Sequence, residues 1–268
     1  MPKRKNNRAL WILLVLVLAV LLYREYRRMP AASEKAAVAE AAPGSPGLPD
    51  MAGGHEIVTH TAYTLSYNEG HEQADWVAYA LSAADLSGNG EERTDNFRLD
   101  PSVSTGSATL EDYRRSGYDR GHLAPAADMG RSAEVMSESF FMSNMSPQAP
   151  SFNRGMWKSL EEAVRQWVLR DSCLYVVTGP VLEPGLEAIG PNAVSVPRAY
   201  YKVLLDLEAP EYKAIGFLMA NDRLSGEIWD YAVSVDSVES RTGIDFFPDL
   251  PEALETRLES RIDIPLWR

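Results

Sequence analysis

Cysteine is nearly absent: Cys173 is the only one in 268 residues, which excludes an internal disulfide, and its setting in CLYVV reads as core. Histidine is scarce as well. Three of the four, His55, His60 and His71, stand at no zinc-ligand spacing and read as surface residues. There is no G-x-S-x-G elbow, no phosphate-binding P-loop and no paired-histidine metal motif, so nothing favours the hydrolase classes those motifs mark. DLSGNG, from Asp85, begins like a calcium loop but has Asn96 where the bidentate glutamate belongs, and reads as a turn. Positive charge is in short supply too. The net charge is −12, and from His55 onward 18 basic residues face 34 acidic ones. So acidic a body repels nucleic acid at long range, and composition alone argues against a strong DNA binder.

What is present is ordinary for a folded chain, with 45% apolar and 24% charged residues. Residues 1–8, MPKRKNNR, form a basic flank, followed by an unbroken apolar run from Ala9 to Tyr23 and by Arg24, Arg27 and Arg28. Residues 9–28 read as a transmembrane or signal-anchor segment whose flanking arginines lengthen its reach. The body would then lie on the non-cytoplasmic side of the membrane. The alternative is a cleaved signal peptide and a secreted body. Residues 29–54, rich in Ala, Pro and Gly, read as a flexible tether, and residues 55–268 as one domain.

Within the body, IVTHTAYTLSY and DWVAYAL alternate as a strand pair. CLYVVTGPVL, AYYKVLLDLE, KAIGFLMAN and IWDYAVSVD read as further strands at hairpin spacing. A short helix is expected from Asp236 to Gly243, and a last one from Pro251 with Leu254, Leu258 and Ile262 on one face. The fold class is α+β, with a central, largely antiparallel sheet flanked by helices.

The stretch from Tyr118 to Glu162 carries the chemistry. It is also the least repulsive place for a phosphate, since Tyr113 to Arg165 holds seven basic residues against six acidic ones. His122 lies in a short Asp-Arg-Gly-His turn among arginines. An imidazole there can accept a proton near neutral pH, although a histidine in a turn can equally be structural. Asn153 precedes an amphipathic run with Trp157, Leu160, Val164, Trp167 and Val168 on one face, with Glu161 and Arg165 on its shoulder. As a helix, that run would set Asn153 and Glu161 about 12 Å apart, too far for both to touch one ion. The amide oxygen would then bind directly and Glu161 through water, which suits Mg²⁺. Helix capping is the competing role for Asn153.

YDRGHLAPAADM followed by FFMSNMSPQAPSFNRGMWKSLEEAVR resembles the signature of the DNA/RNA non-specific endonucleases, the ββα-metal (His-Me finger) nucleases. The likeness extends through YTLSYNE, DNFRLDPSV, LYVVTGPVL and DYAVSVDSVESRTGIDFFP. The resemblance implies that His122 is the general base, Asn153 the protein ligand of Mg²⁺ (Mn²⁺ or another divalent ion substituting) and Glu161 a holder of metal-bound water. It further implies Arg165 on phosphate, Arg120 on transition-state charge and a second arginine at Arg93 or Arg98; Asp119 itself reads as structural, orienting the turn. Implied too is cleavage of DNA or RNA without regard to sequence, leaving 5′-phosphate and 3′-hydroxyl ends. The partners are nucleic acid and, through the N-terminal helix, a membrane; a homodimer and an inhibitor protein are left open. The rival reading is a catalytically silent, membrane-tethered binding module of the same fold.

Overall fold

The computed structural model describes residues 46–87, 90–208 and 211–268. Its centre is a seven-stranded sheet, antiparallel throughout. In chain order the strands are β1 (Glu56–Thr59), β2 (Thr64–Asn68), β3 (Gln73–Ser82), β6 (Cys173–Pro180), β7 (Ala199–Asp206), β8 (Lys213–Ala220) and β9 (Ala232–Val233). The pair β4 (Asp119–His122) and β5 (Met145–Gln148) stands apart from it. Across the sheet the order is β9-β8-β7-β6-β3-β2-β1. Strands such as AYYKVLLD are apolar at both parities because both faces are covered.

One face carries Tyr200 and Leu204 of β7 with Ile215, Phe217 and Met219 of β8. These pack under the helix α4 (Met156–Asp171) through Trp157, Leu160, Val164, Trp167 and Val168. Aromatic contacts tie the helix down, with ring centroids 5.1 Å apart for Phe152 and Trp157 and 5.3 Å for Phe152 and Tyr200. The other face carries Tyr201, Val203 and Leu205 against α5 (Val235–Thr242) and α6 (Glu252–Glu259). Three short helices, α1 (Leu110–Tyr113), α2 (Ala133–Glu138) and α3 (Pro150–Asn153), belong to the loops around β4 and β5.

The α+β class and the antiparallel sheet are as the strand patterns predict, with local differences. IWDYAVSVD begins as a 3₁₀ turn over Ile228–Tyr231 and is strand only at Ala232–Val233, because the Asp230 carboxylate folds back to accept from the Glu227 backbone at 2.9 Å. α5 is capped by Ser234, which accepts from Ser237 N–H, and ends at Gly243 with φ of 72°. α6 stops at Glu259, so Ile262 falls beyond it. The body extends closer to the N-terminus than His55, for Asp50–Met51 pairs with Ile244–Asp245. His60 is not a surface residue: its buried ring bonds the buried Asp100 at 2.9 Å. The expected membrane segment, 9–28, lies outside the described residues; among those described, no helix is long and apolar enough to cross a membrane.

Candidate active site

The Asp-Arg-Gly-His motif, expected as a turn, is strand β4, paired antiparallel with β5 so that Asp119 faces Gln148 and His122 faces Met145. The glycine makes this pairing fit. A Cβ on Gly121 would lie 2.1 Å from the Gln148 side chain, which fills the space beside it. From β5 the chain enters α3, breaks at Gly155 and enters α4. Gly155 is required there as well, since its Cβ would fall 2.3 Å from the Ser151 carbonyl oxygen. Because of that break Asn153 and Glu161 sit on two helices, and a straight-helix spacing does not describe them.

Asn153 ends α3, and its side chain caps nothing: Nδ2 donates to Asp119 Oδ2 at 2.9 Å. The carboxylate also accepts two bonds from Arg154, at 2.8 and 2.6 Å. Partial burial works against ionisation of Asp119, but the hydrogen bonds from Arg154 and Asn153 outweigh it and hold the carboxyl below its ordinary value. An ionised carboxylate only accepts, so it fixes the amide with nitrogen inward and keeps Oδ1 for another partner. Asp119 thus holds the Asn153 amide in place. His122 is three residues away on the same strand, about 10 Å at strand rise.

The His122 ring sits against Phe140, edge to face at 5.0 Å, and against Phe97 at 5.7 Å. The residue keeps some surface, yet its Nε2 is enclosed without a protein partner. Burial, and then the charges of Arg93 and Arg120, bring its pKa down to about 3, so the imidazole is neutral. Each arginine lies over one of the bracketing rings: Arg120 at 4.2 Å from Phe97, Arg93 at 4.8 Å from Phe140. Arg98 is placed elsewhere, over Phe141 and donating to the Ser137 carbonyl. Of the two upstream candidates, Arg93 is the one beside His122.

Glu161 and Arg165 lie on α4 above the sheet, as the wheel predicts, within a charged cluster that the sequence reading missed. Arg165 donates to Asp128 at 2.9 Å, and Tyr79 donates to the other oxygen of the same carboxylate at 2.8 Å. Beneath them Lys202, 1% exposed, emerges from β7 on the side of Tyr200 and Leu204 and donates to Thr178, its cross-strand partner, at 2.5 Å. Burial pushes Glu161 up to about 7 while Lys202 pulls it back. Burial likewise brings Lys202 down to about 8, against the attraction of Glu161. A lysine at an inward position of AYYKVLLD was the available signal. Beside β4 a groove of about 450 Å³ is lined by Tyr113, Arg114, Tyr118 and Arg120 among others.

A site of this composition, a neutral imidazole between arginines with an anchored amide and a carboxylate nearby, suits phosphodiester hydrolysis. Comparison with known proteins defines the class as nuclease, a hydrolase. Relatives include a nuclease of Nostoc sp., 37% identical over 77% of this chain and 78% of its own length. Human mitochondrial endonuclease G is 34% identical over 76% of this chain and 72% of its own. A crystal structure of the EndoG/EndoGI complex, concerned with the mechanism of EndoG inhibition, matches with a TM-score of 0.70 and 33% identity. It covers 78% of this chain and 89% of that one. The profile of the DNA/RNA non-specific endonucleases matches residues 48–253, and the chain belongs to that family.

Proposed function

We propose that the protein is a Mg²⁺-dependent endonuclease that hydrolyses DNA and RNA phosphodiesters without sequence preference, with His122 as its general base. The observation that carries this reading is the pair of opposed preparations on one strand. The Asp119 end of β4 holds the Asn153 amide by its nitrogen and leaves Oδ1 for another partner, and the His122 end holds an unprotonated imidazole between Phe97 and Phe140.

The residues fit a hydrated cation. Asn153 supplies one neutral oxygen, and among the described residues the groups of three carboxylates lie elsewhere, on α5, α6 and Asp245. One protein oxygen with several waters is how Mg²⁺ is commonly held, and when bound it supplies charge neutralisation at the phosphate. Asn153 would hold the ion, with Glu161 keeping its waters in place. His122 takes a proton from the attacking water. Arg120 and Arg93, next to it, stabilise negative charge that grows on the phosphoryl oxygens. The bond to the 3′-oxygen breaks and that oxygen takes a proton from solvent, leaving a 5′-phosphate and a 3′-hydroxyl.

Arg165, engaged by Asp128, acts by keeping the α4 cluster charged and in place, and reaches phosphate only if that pair opens. Substrate would lie along the groove by Arg114 and Arg120, reading no base edges, so sequence preference is weak. The acidic body makes binding weak and sensitive to salt. We place the body on the non-cytoplasmic side of a membrane, held by residues 9–28.

Supercoiled plasmid and RNA, incubated with the full chain in Mg²⁺ or EDTA, test this. Cleavage should require the metal, leave 5′-phosphates and fall by about 10²- to 10⁴-fold in His122→Ala with the circular dichroism unchanged. Undiminished cleavage by the folded variant would refute the base assignment.

A further inference from the structure

Glu259, on the last turn of α6, is 6% exposed, and its Oε1 is enclosed with no hydrogen-bond partner. The charges that act on it are carboxylates. Asp236 and Glu239 of α5 form one group with it, and Asp245 and Glu255 another; within each group one oxygen per residue lies within 4.8 Å of the others. Glu239 spends one oxygen on the Phe246 N–H at 3.1 Å. Among the described residues none of the five carboxylates has a Lys or Arg ion-pair partner, and Arg241 of α5 is turned to Glu183 instead.

An enclosed, unpartnered carboxylate oxygen costs stability, and four like charges nearby add to that cost. A divalent cation resolves all of these costs at once. Ca²⁺ takes about 6–8 oxygens in a flexible shell, whereas Mg²⁺ demands near-ideal octahedral geometry and keeps several waters. Carboxylates drawn from α5, α6 and Asp245 suit the larger, more adaptable ion.

We propose that Glu259, with Asp236 and Glu239 on one side and Asp245 and Glu255 on the other, binds a structural Ca²⁺ ion. That ion is separate from the catalytic one and ties α5 to α6. Because Asp245 pairs with Asp50, it also fastens the strand by which the chain enters the body. The mixed exposure of the ligands puts the site in the weak class, with Kd of about 10⁻⁴ to 10⁻³ M.

The test uses CaCl₂ titrated into chelator-treated full-length protein, parent and Glu259→Gln, followed by calorimetry and by thermal melting. The parent should bind one more Ca²⁺ per chain than the variant. It should gain about 3 °C in Tm at 10 mM CaCl₂, and the variant clearly less. In EDTA the variant should melt at or above the parent, because the substitution removes repulsion. Equal Ca²⁺ stoichiometry and equal gain in the two proteins would overturn the site. A gain from MgCl₂ as large as that from CaCl₂ would overturn the choice of ion. Should Glu259→Gln not fold, the exposed Asp245→Asn serves with the same expectations.

Discussion

Two glutamates withdrawn from solvent, Glu161 half-buried and Glu259 buried, lie on opposite faces of the same sheet and have opposite surroundings. Both are pushed up by burial, to about 7 and about 8. Glu161 has Lys202 beneath it and Arg165 one turn along, so the protein supplies its countercharge and ionises it near neutral pH. Glu259 has only carboxylates, so its countercharge must come from solution as a proton or a metal ion. A buried acid with cations built around it is prepared for work in the ionised state. One without them is a vacancy in the electrostatics.

The sharpest way to break this contrast is to neutralise each acid isosterically. Glu161→Gln should lower Mg²⁺-dependent cleavage by about 10- to 100-fold, the usual loss when a group orienting metal-bound water is removed. Glu259→Gln should leave cleavage within about twofold, measured as plasmid nicking rates. Next in size is Lys202→Met. Removing one partner from a buried charged cluster costs about 3–5 kcal/mol, near 10 °C in Tm for a body of this size, read by thermal melting. The same substitution should move the rise of activity with pH to higher pH, because Glu161 loses its largest stabilising charge.

The smallest effect is in stability against pH in metal-free buffer. Glu259 is raised from 4.5 to about 8 and Glu161 from 4.5 to about 7, so the folded state holds more protons over those ranges. Tm should therefore rise as pH falls through them. His122 is lowered from 6.5 to about 3, so the unfolded state holds more protons there, and stability is lost as pH falls below 6.5. Where the ranges overlap two acids act against one imidazole, so Tm should peak near the low end of the overlap, at about pH 4.5. Glu259→Gln should flatten the alkaline limb and His122→Gln the acidic one; unchanged limbs would remove the cause given for each.

Much of this was legible in the sequence where local pattern decides structure. The alternating strands, the stripe from Trp157 to Val168 and the αL glycine at Gly243 each declare themselves within a few residues. His122, Asn153 and Glu161 stood out through the motif and its spacing. What was hidden depends on pairing between distant segments. Gly121 reads as a turn former until the Gln148 side chain is known to fill the space beside it. Asn153 reads as a cap until Asp119 takes its amide. Lys202 looks like an ordinary strand lysine until α4 covers it with Glu161, and His60 like a surface residue until Asp100 meets it.

The central claim is that the two ends of β4 divide the chemistry, with base at one end and metal-holding amide at the other. Mg²⁺ binding by calorimetry, run beside plasmid nicking on the same preparations, tests it most directly. His122→Ala should bind Mg²⁺ as the parent does and fail to cut, whereas Asn153→Ala should lose both. An Asn153→Ala protein that binds Mg²⁺ and cuts at the parent's rate would contradict it.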